Sequence, residues 1–446
     1  MAAPLGGRTL LADLYEAAVL GAAPGPVTST ALRDFDARPD QRLWLYAMGK
    51  ASHSMASAAV AALQRGRHSI AAGVIVAPEP LPSPYAGLSM LVGDHPIPGR
   101  NSFAAAQRIG ELAGGMRSDD VAIVLISGGA TSLIGAPLRG MAESDLVQLY
   151  EMLLGSGLDI REMNAVRKRF TRWGGGRLAL ALAPARTHTL IISDVAGDDP
   201  SDIASGPCTP DPNTVRDVVA ILERSGLYAR IAPPMREYLT SVLRGVTPET
   251  PRATHPAFAH VSARVIGSNR LATLAAAARA ESHSMQAARS ERLLTGDAAT
   301  CGEALASELV ERARDGWRGC MIWGGETTVN LGASDAASSD SSAAAPLGGR
   351  CQELALAAAR VFAESGDAAQ RVALLAAGTD GRDGPTDAAG AFADASVWEA
   401  IRASGRSPES ALARHDSYSA LDAVGALHRR GLTGTNVMDV VIAVVQ

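Results

Sequence analysis

Residues 190–212 read LIISDVAGDDPSDIASGPCTPDP, an apolar run that passes straight into a polar turn. An Ile- and Leu-rich run of this kind reads as a buried parallel strand. Open α/β sheets gather their ligands at the carboxyl ends of such strands, and Ser193 and Asp194 fall at that end. Asp194 is therefore the first candidate for chemistry. Asp198, Asp199 and Asp202 then crowd the approach to Ser205-Gly206-Pro207, more negative charge than a turn needs for its own geometry. A cationic partner is expected nearby, although any one of these acids serves equally as an Asx-turn or a helix cap.

Lys50 follows the apolar segment 42–49 (RLWLYAMG) and opens an Ala-rich helical stretch. A lysine at a helix N-terminus opposes the macrodipole, so its place just after a strand points to an anionic ligand sharing the site; an ordinary surface lysine is the alternative. The run 121–126 (VAIVLI) opens into Ser127-Gly128-Gly129-Ala130-Thr131-Ser132. Glycines there let backbone N–H groups approach a phosphate or carboxylate, and the hydroxyls add donors. The chain has no Walker GxxxxGK[ST] loop, and a glycine turn after a strand is by itself a weak signal. Asn164, Arg167 and Lys168 fall within one helical turn, either a basic cluster or a solvated face. His95, in Asp94-His95-Pro96, has a side chain that titrates near neutrality but reads as structural, and Asn101 reads as the cap of the next helix. Further on, 321–323 leads to Gly324-Gly325-Glu326-Thr327-Thr328, and Gly348-Gly349-Arg350 opens a helix. That helix start offers backbone donors and a fork-shaped cation to a phosphate or carboxylate. The Arg350 charge sits unfavourably at the positive end of the helix dipole unless an anion is bound, so ligand-free protein is expected to tolerate its loss.

The elements that must carry these groups follow from composition and spacing. At 446 residues, 47% hydrophobic and 20% charged, with few aromatics and many Ala and Gly, the chain fits two domains better than one core. Strand and helix patterns alternate up to about residue 244, two helices filling 212–244. The Pro/Thr-rich run 247–256 reads as the inter-domain linker, and a second βαβ-like alternation starts with 261–266. The Ser/Ala-rich run 333–346 reads as a flexible excursion. A net charge of −5 argues against a sequence-independent grip on nucleic acid, and no apolar run reaches membrane-spanning length. Asp13 and Glu16 within the first apolar stretch suit an amphipathic helix rather than a signal peptide. The four cysteines lie far apart without zinc-ligand spacing, which fits a reducing cytoplasm.

Together, SDVAGDDPSDIASGP, GGETTV, GGRCQELALAAA, GTDGRDGPTDAAGA and TGTNVMD resemble, in the same order and over nearly the whole chain, the glycerate 2-kinases of the MOFRL type. The resemblance implies an α/β protein of two domains. These are a Rossmann-like N-terminal domain over 1–251 and a smaller C-terminal α/β MOFRL domain over 252–446, with the active site in the cleft between them. It implies ATP-dependent phosphorylation of D-glycerate at its 2-hydroxyl to give 2-phosphoglycerate. Lys50, Asp194 and Arg350 fall on positions proposed as functional in that family. Lys50 and Arg350 are then expected to neutralise phosphate charge, and Asp194 to orient or deprotonate the hydroxyl. Mg²⁺ would bridge phosphate oxygens through water and one or two carboxylates that the sequence leaves unassigned. Substrate or phosphate contacts are expected from Ser127, Gly128, Gly129, Ser132, Asn164, Arg167, Ser205, Asn269, Gly324, Gly325, Glu326, Thr327, Asp380 and Asn436. Cys351 stands where the family usually has Asn, Gly129-Ala130-Thr131 replaces a longer glycine run, and 333–346 is an unusual insertion. The expected partners are small molecules, with homo-oligomerisation left open. An NAD(P)H-dependent hydroxypyruvate reductase is the second reading, but no G-x-G-x-x-G joins a strand to a helix with an acid about 20 residues on. A two-domain small-molecule sensor is the third, and paired acid and cation candidates at strand ends argue against it.

Overall fold

Six strands up to residue 267 enter one sheet: β1 (Leu43–Met48), β2 (Ile70–Ala77), β3 (Leu88–Val92), β4 (Val121–Ile126), β5 (Arg186–Ile192) and β6 (Val261–Gly267). Their spatial order is β3-β2-β1-β4-β5-β6. β1 through β5 pair in parallel, and β4 is buried at every position, as expected for a continuous Val/Ile/Leu run covered on both faces. Strand order reverses between β1 and β4, which makes their carboxyl ends the topological switch point where such sheets open a ligand crevice. The computed structural model that shows this describes residues 7–38, 40–330 and 346–446. Of the run 333–346, residues 333–345 lie outside them.

Contacts divide the chain into two units, 24–266 and a second made of 267–446 with the N-terminal segment ending at Ala23. In the first unit, Tyr46, Val74, Val124 and Ile126 of the sheet pack with Ala105, Ile109, Leu178 and Leu182 of the helices Arg100–Ala113 and Arg177–Leu182. A second apolar cluster joins the helices Glu143–Leu154, Ile160–Phe170, Val215–Arg224 and Pro233–Leu243. Asn101 does not cap the helix Arg100–Ala113. The Asp94 carboxylate does, accepting from the backbone N–H of Asn101 at 2.9 Å and of Ser102 at 3.2 Å.

The run 247–256 is not a free linker. Thr250 is buried and donates to Asp211 at 2.9 Å, and Glu249 accepts from Arg169 at 2.7 Å and from the Val215 N–H at 2.7 Å. Pro/Thr-rich composition signals irregular backbone, which here is packed down by side-chain ion pairs. The strand after it, expected to open the second alternation, becomes β6 at the edge of the first sheet.

The second unit holds β7 (Ala287–Arg289), β8 (Gly319–Gly325), β9 (Val372–Gly378), β10 (Gly390–Asp394), β11 (Leu427–His428) and β12 (Asp439–Val445), in the order β11-β10-β9-β12-β8-β7. Only β7 and β8 pair in parallel here among the described residues. β12 lies between β8 and β9, antiparallel to both and fully buried. The βαβ reading holds for β7, the helix Ala298–Arg314 and β8; it does not extend to the later strands, because local patterns do not show where a last strand inserts. The amphipathic N-terminal helix Gly7–Gly21 belongs here too, not with residues up to 251. It packs on the helix Asn269–Ser282, Arg279 forks onto Asp13 at 2.7 and 2.9 Å, and the Tyr15 hydroxyl donates to the Gly378 carbonyl at 2.8 Å. No helix among the described residues is long and apolar enough to cross a membrane.

Lys168, Arg169 and Asp211 are fully buried in the first unit, with Asp211 3.7 Å from Lys168 and 3.8 Å from Arg169. Removing one member of a buried charge network leaves the others uncompensated, so Asp211→Ala should cost about 3–5 kcal/mol. Urea unfolding of variant and wild type checks this; a midpoint that does not move would show that Glu249 and Asp202 satisfy both cations without Asp211.

Candidate active site

In the first unit β4 lies between β1 and β5 in register, Met48 opposite Ile126 and Ile126 opposite Ile191. The turns that leave the three strands therefore stand side by side, with the 127–132 turn flanked by Lys50 and Asp194. Backbone bonds join two of them: the Ser127 N–H donates to Met48 at 3.0 Å, and the Lys50 N–H to Gly128 at 2.9 Å. The Ser127 hydroxyl accepts from the Ala51 N–H at 3.0 Å, fixing the start of the helix Ser52–Arg65.

Both glycines of this turn are pressed by the side chains of neighbouring strand ends. A β-carbon on Gly128 would fall 1.9 Å from Asp194 Oδ2. One on Gly129 would meet His95 Cδ2 at 3.1 Å and Lys50 Cε at 3.4 Å. Burial pushes the Asp194 carboxyl above the usual carboxylate range, while the Lys50 charge opposes that rise. Burial also lowers His95, helped by Lys50 and then Arg167, so this imidazole is neutral at pH 7 and able to donate or accept one hydrogen bond. His95 had read as structural, yet it follows β3 as Asp194 follows β5, and the strand-end rule that picks out one picks out the other. Lys50 is exposed and makes no ion pair among the described residues.

The basic cluster on the helix Ile160–Phe170 is buried, not solvated. Lys168 is the cation expected among the acids: its ammonium donates to the Ser201 carbonyl at 3.0 Å and pairs with Asp202 at 3.5 Å. Asn164 donates to the Asp202 carbonyl at 3.4 Å. These two hold the segment that carries Ser205, whose hydroxyl bonds Thr131 at 3.1 Å. Ser132 donates to the Gly129 carbonyl at 3.1 Å, bracing the turn from within. Arg167 stacks over the Tyr150 ring at 4.9 Å, and the Tyr150 hydroxyl donates to the Thr131 carbonyl at 3.4 Å.

In the second unit the helix Arg350–Glu364 starts where expected, but the protein itself supplies anions to its start. Asp383 accepts from the N–H groups of Cys351 at 3.1 Å and Gln352 at 2.8 Å. Arg350 turns its fork onto Asp439, with Nε 2.5 Å and Nη2 2.8 Å from the carboxylate oxygens, and pairs with Glu326 at 3.3 Å. Gly349 is required by the first of these anions, since a β-carbon there would fall 2.3 Å from the Asp383 carboxyl carbon. Asp439 and Asp383 sit inside the TGTNVMD and GTDGRDGPTDAAGA motifs, a signal present but not traceable to a partner 89 or 32 positions away by local spacing.

Asn269 is 2% exposed and spends both amide hydrogens on the carbonyls of Val437 and Asp439, at 2.9 and 2.8 Å. Gly324 lies against its Oδ1, and Gly325 against the Leu294 backbone. These three residues thus join the chain end to β8. Asp380 caps its own turn by accepting from the Arg382 N–H at 2.9 Å, and Asn436 likewise faces the Met438 N–H at 3.4 Å. Glu326, Thr327, Gly349 and Arg350 line a cleft of about 450 Å³ together with Val329, Pro385 and His415. His415 Nδ1 is 2.9 Å from the buried Glu353 carboxylate, whose pKa burial raises and His415 holds back. Burial, then Asp439, pushes the Cys351 thiol far up, so it is inert as a nucleophile.

Residues 10–240 match the family described as "Domain of unknown function (DUF4147)", and residues 319–439 match the MOFRL family. Over 409 residues the chain is 34% identical to D-glycerate 2-kinase of Thermotoga maritima, covering 91% of each. A relative from Agrobacterium vitis, 35% identical over 97% of this chain and 93% of its own, carries a provisional hydroxypyruvate reductase name. The crystal structure of glycerate kinase from Thermotoga maritima matches 98% of this chain and 99% of its own, with a TM-score of 0.85 at 31% identity.

Since Arg350 neutralises the buried Asp439, its loss is not silent in ligand-free protein, contrary to the expectation from the helix dipole alone. Arg350→Ala should destabilise the apo protein by about 3–5 kcal/mol, and Arg350→Lys by less, because the charge stays while the fork is lost. Apo unfolding curves check both; an unchanged Arg350→Ala curve would mean that the pair is not formed. Burial raises Asp383 from 3.8 to about 6 against the pull of its two backbone donors. The native state therefore holds a proton that the unfolded state releases between those values. The resulting stability is complete below pH 3.8 and lost as pH rises through about 6. Wild type should lose stability relative to Asp383→Asn between about pH 4 and 6, and parallel curves would refute the shift.

Proposed function

The chain belongs to the glycerate kinase family that joins a DUF4147 module to a MOFRL module, and on that footing we propose that it phosphorylates D-glycerate at the 2-hydroxyl, with ATP as donor, giving 2-phosphoglycerate and ADP. The observation that carries the mechanism is the convergence of Asp194 and Lys50 on one glycine pair at the ends of β1, β4 and β5. Phosphoryl transfer needs an aligned hydroxyl and cations on the transferring group more than a covalent catalyst. Asp194, more basic than an exposed carboxylate because it is buried, accepts the proton of the 2-hydroxyl as the new P–O bond forms. The unpaired Lys50 ammonium offsets the charge that develops on the phosphoryl oxygens. Ser127, Gly128, Gly129 and Ser132 supply the turn on which both act. Arg350, in the second unit, has for an anion only the N–H groups that Asp439 and Glu326 leave open, less than its full fork.

Mg²⁺ enters as the ATP complex. Among the described residues no three His, Cys, Asp or Glu side chains converge to hold a metal, and Asp383 and Asp439 already spend their oxygens on backbone N–H groups and Arg350. No step is therefore assigned to a metal held by the protein alone. The strand order of the first sheet supports its Rossmann-like label, and four unpaired cysteines support a cytoplasmic setting. The hydroxypyruvate reductase name of one relative marks the same family, and no dinucleotide fingerprint accompanies it here.

A coupled ADP assay with D-glycerate, run beside NADH oxidation with hydroxypyruvate, should show ADP formation alone; NADH oxidation without ADP would reverse the assignment. In the same assay Lys50→Ala should lower turnover by about a hundredfold or more with the fold intact. Asp194→Asn should lower turnover far more than nucleotide affinity. Near-normal turnover in folded Lys50→Ala removes Lys50 from the mechanism, and lost nucleotide binding with surviving turnover makes Asp194 a nucleotide ligand instead.

A further inference from the structure

Arg167 is a buried cation that the first unit does not neutralise. Its side chain is 8% exposed, it forms no ion pair among the described residues, and its Nε has no hydrogen-bond partner. Its one hydrogen bond among the described residues is the long one that Nη1 donates to Asn164 Oδ1 at 3.5 Å. Burial lowers its pKa with only the Tyr150 hydroxyl opposing. A charge taken out of water without a partner is costly, and native structures retain one where a ligand completes it. The neighbours point the same way. Tyr150, on which Arg167 stacks, donates to the 127–132 turn at Thr131, while His95, which feels the Arg167 charge, lies against Gly129 beside Lys50.

We propose that Arg167, backed by Tyr150 and assisted by His95, binds the carboxylate of the acceptor and so makes the enzyme select 2-hydroxy acids over neutral alcohols. The inference rests on the kinase reading above and deepens it. Two observations favour the acceptor carboxylate over the nucleotide phosphate. Arg167 is recessed, so a small planar anion reaches it more readily than a bulky hydrated phosphoryl group, and the planar fork matches a carboxylate in two-point contact. The hydroxyl to be phosphorylated sits on the carbon bonded to that carboxylate, so both handles must bind within one small site. The turn that Asp194 touches at Gly128 is the one that His95 and Tyr150 touch at Gly129 and Thr131.

The test compares D-glycerate with its methyl ester, which keeps the 2-hydroxyl and loses the charge, as acceptors in the coupled ADP assay. Calorimetric binding of D-glycerate without nucleotide is measured alongside. Arg167→Gln should raise the KM and the dissociation constant for D-glycerate about a hundredfold or more, leave the KM for ATP unchanged, and collapse the preference for acid over ester. Arg167→Lys, which keeps the charge, should retain part of that preference; it carries the test if Arg167→Gln does not fold. His95→Gln, which keeps one donor, should be milder than either. A preference unchanged in folded Arg167→Gln overturns the proposal and leaves the kinase reading standing, as does a rise confined to the KM for ATP. Wild type that binds D-glycerate through Arg167 but forms no ADP overturns the kinase reading and leaves this site standing. Wild type that neither binds nor phosphorylates D-glycerate overturns both.

Discussion

The first unit depends on the contact between two strand ends. β1 and β4 are neighbours only because strand order reverses there, and their outgoing turns touch: Gly49 takes φ +120° and lies against Ser127, with no room for a side chain. Backbone bonds in both directions then fix Lys50 relative to Gly128 and Gly129. Asp194 reaches the same turn from β5, and His95 from beyond β3. The proposed catalytic groups are thus held by the sheet through short turns and not by long loops, which is how a site keeps its geometry without ligand.

Charge balance is the second constraint, and the two units meet it differently. In the second unit each buried charge near the helix Arg350–Glu364 has an internal partner: Asp439 has Arg350, Asp383 has two backbone donors, Glu353 has His415. In the first, Lys168 and Arg169 are similarly answered by Asp202, Asp211 and Glu249, while among the described residues Lys50 and Arg167 are not. Stability and chemistry draw on the same residue types, and the distinction lies in which charges the fold leaves open.

Strands β1, β4 and β5 were legible in the sequence because a continuous apolar run has few other uses, and Lys50, Ser127 and Asp194 were legible because they end such runs. What was hidden depends on distance along the chain. The basic cluster at 164–168 looked the same whether solvated or buried until Asp202 and Asp211 folded onto it. Arg350 looked open because its partner lies 89 residues on. The helix Gly7–Gly21 was recognisable as amphipathic, but nothing in its own pattern says which sheet it covers. Composition marked 247–256 as irregular and could not reveal that Thr250 is buried.

The position of β12 constrains the order in which the second unit can form. It is the last strand in sequence yet lies in the middle of its sheet, clamped at its start by Asn269 and flanked by β8 and β9 along its length. During synthesis β7 to β11 therefore emerge without the strand that joins the two halves of their sheet, and the helix Gly7–Gly21 waits, apolar face uncovered, for a surface made hundreds of residues later. The first unit, complete once residue 266 has emerged, needs no such delay. Vectorial synthesis then separates the two foldings in time, and the second sheet stays open, and exposed to misassociation, until β12 has emerged.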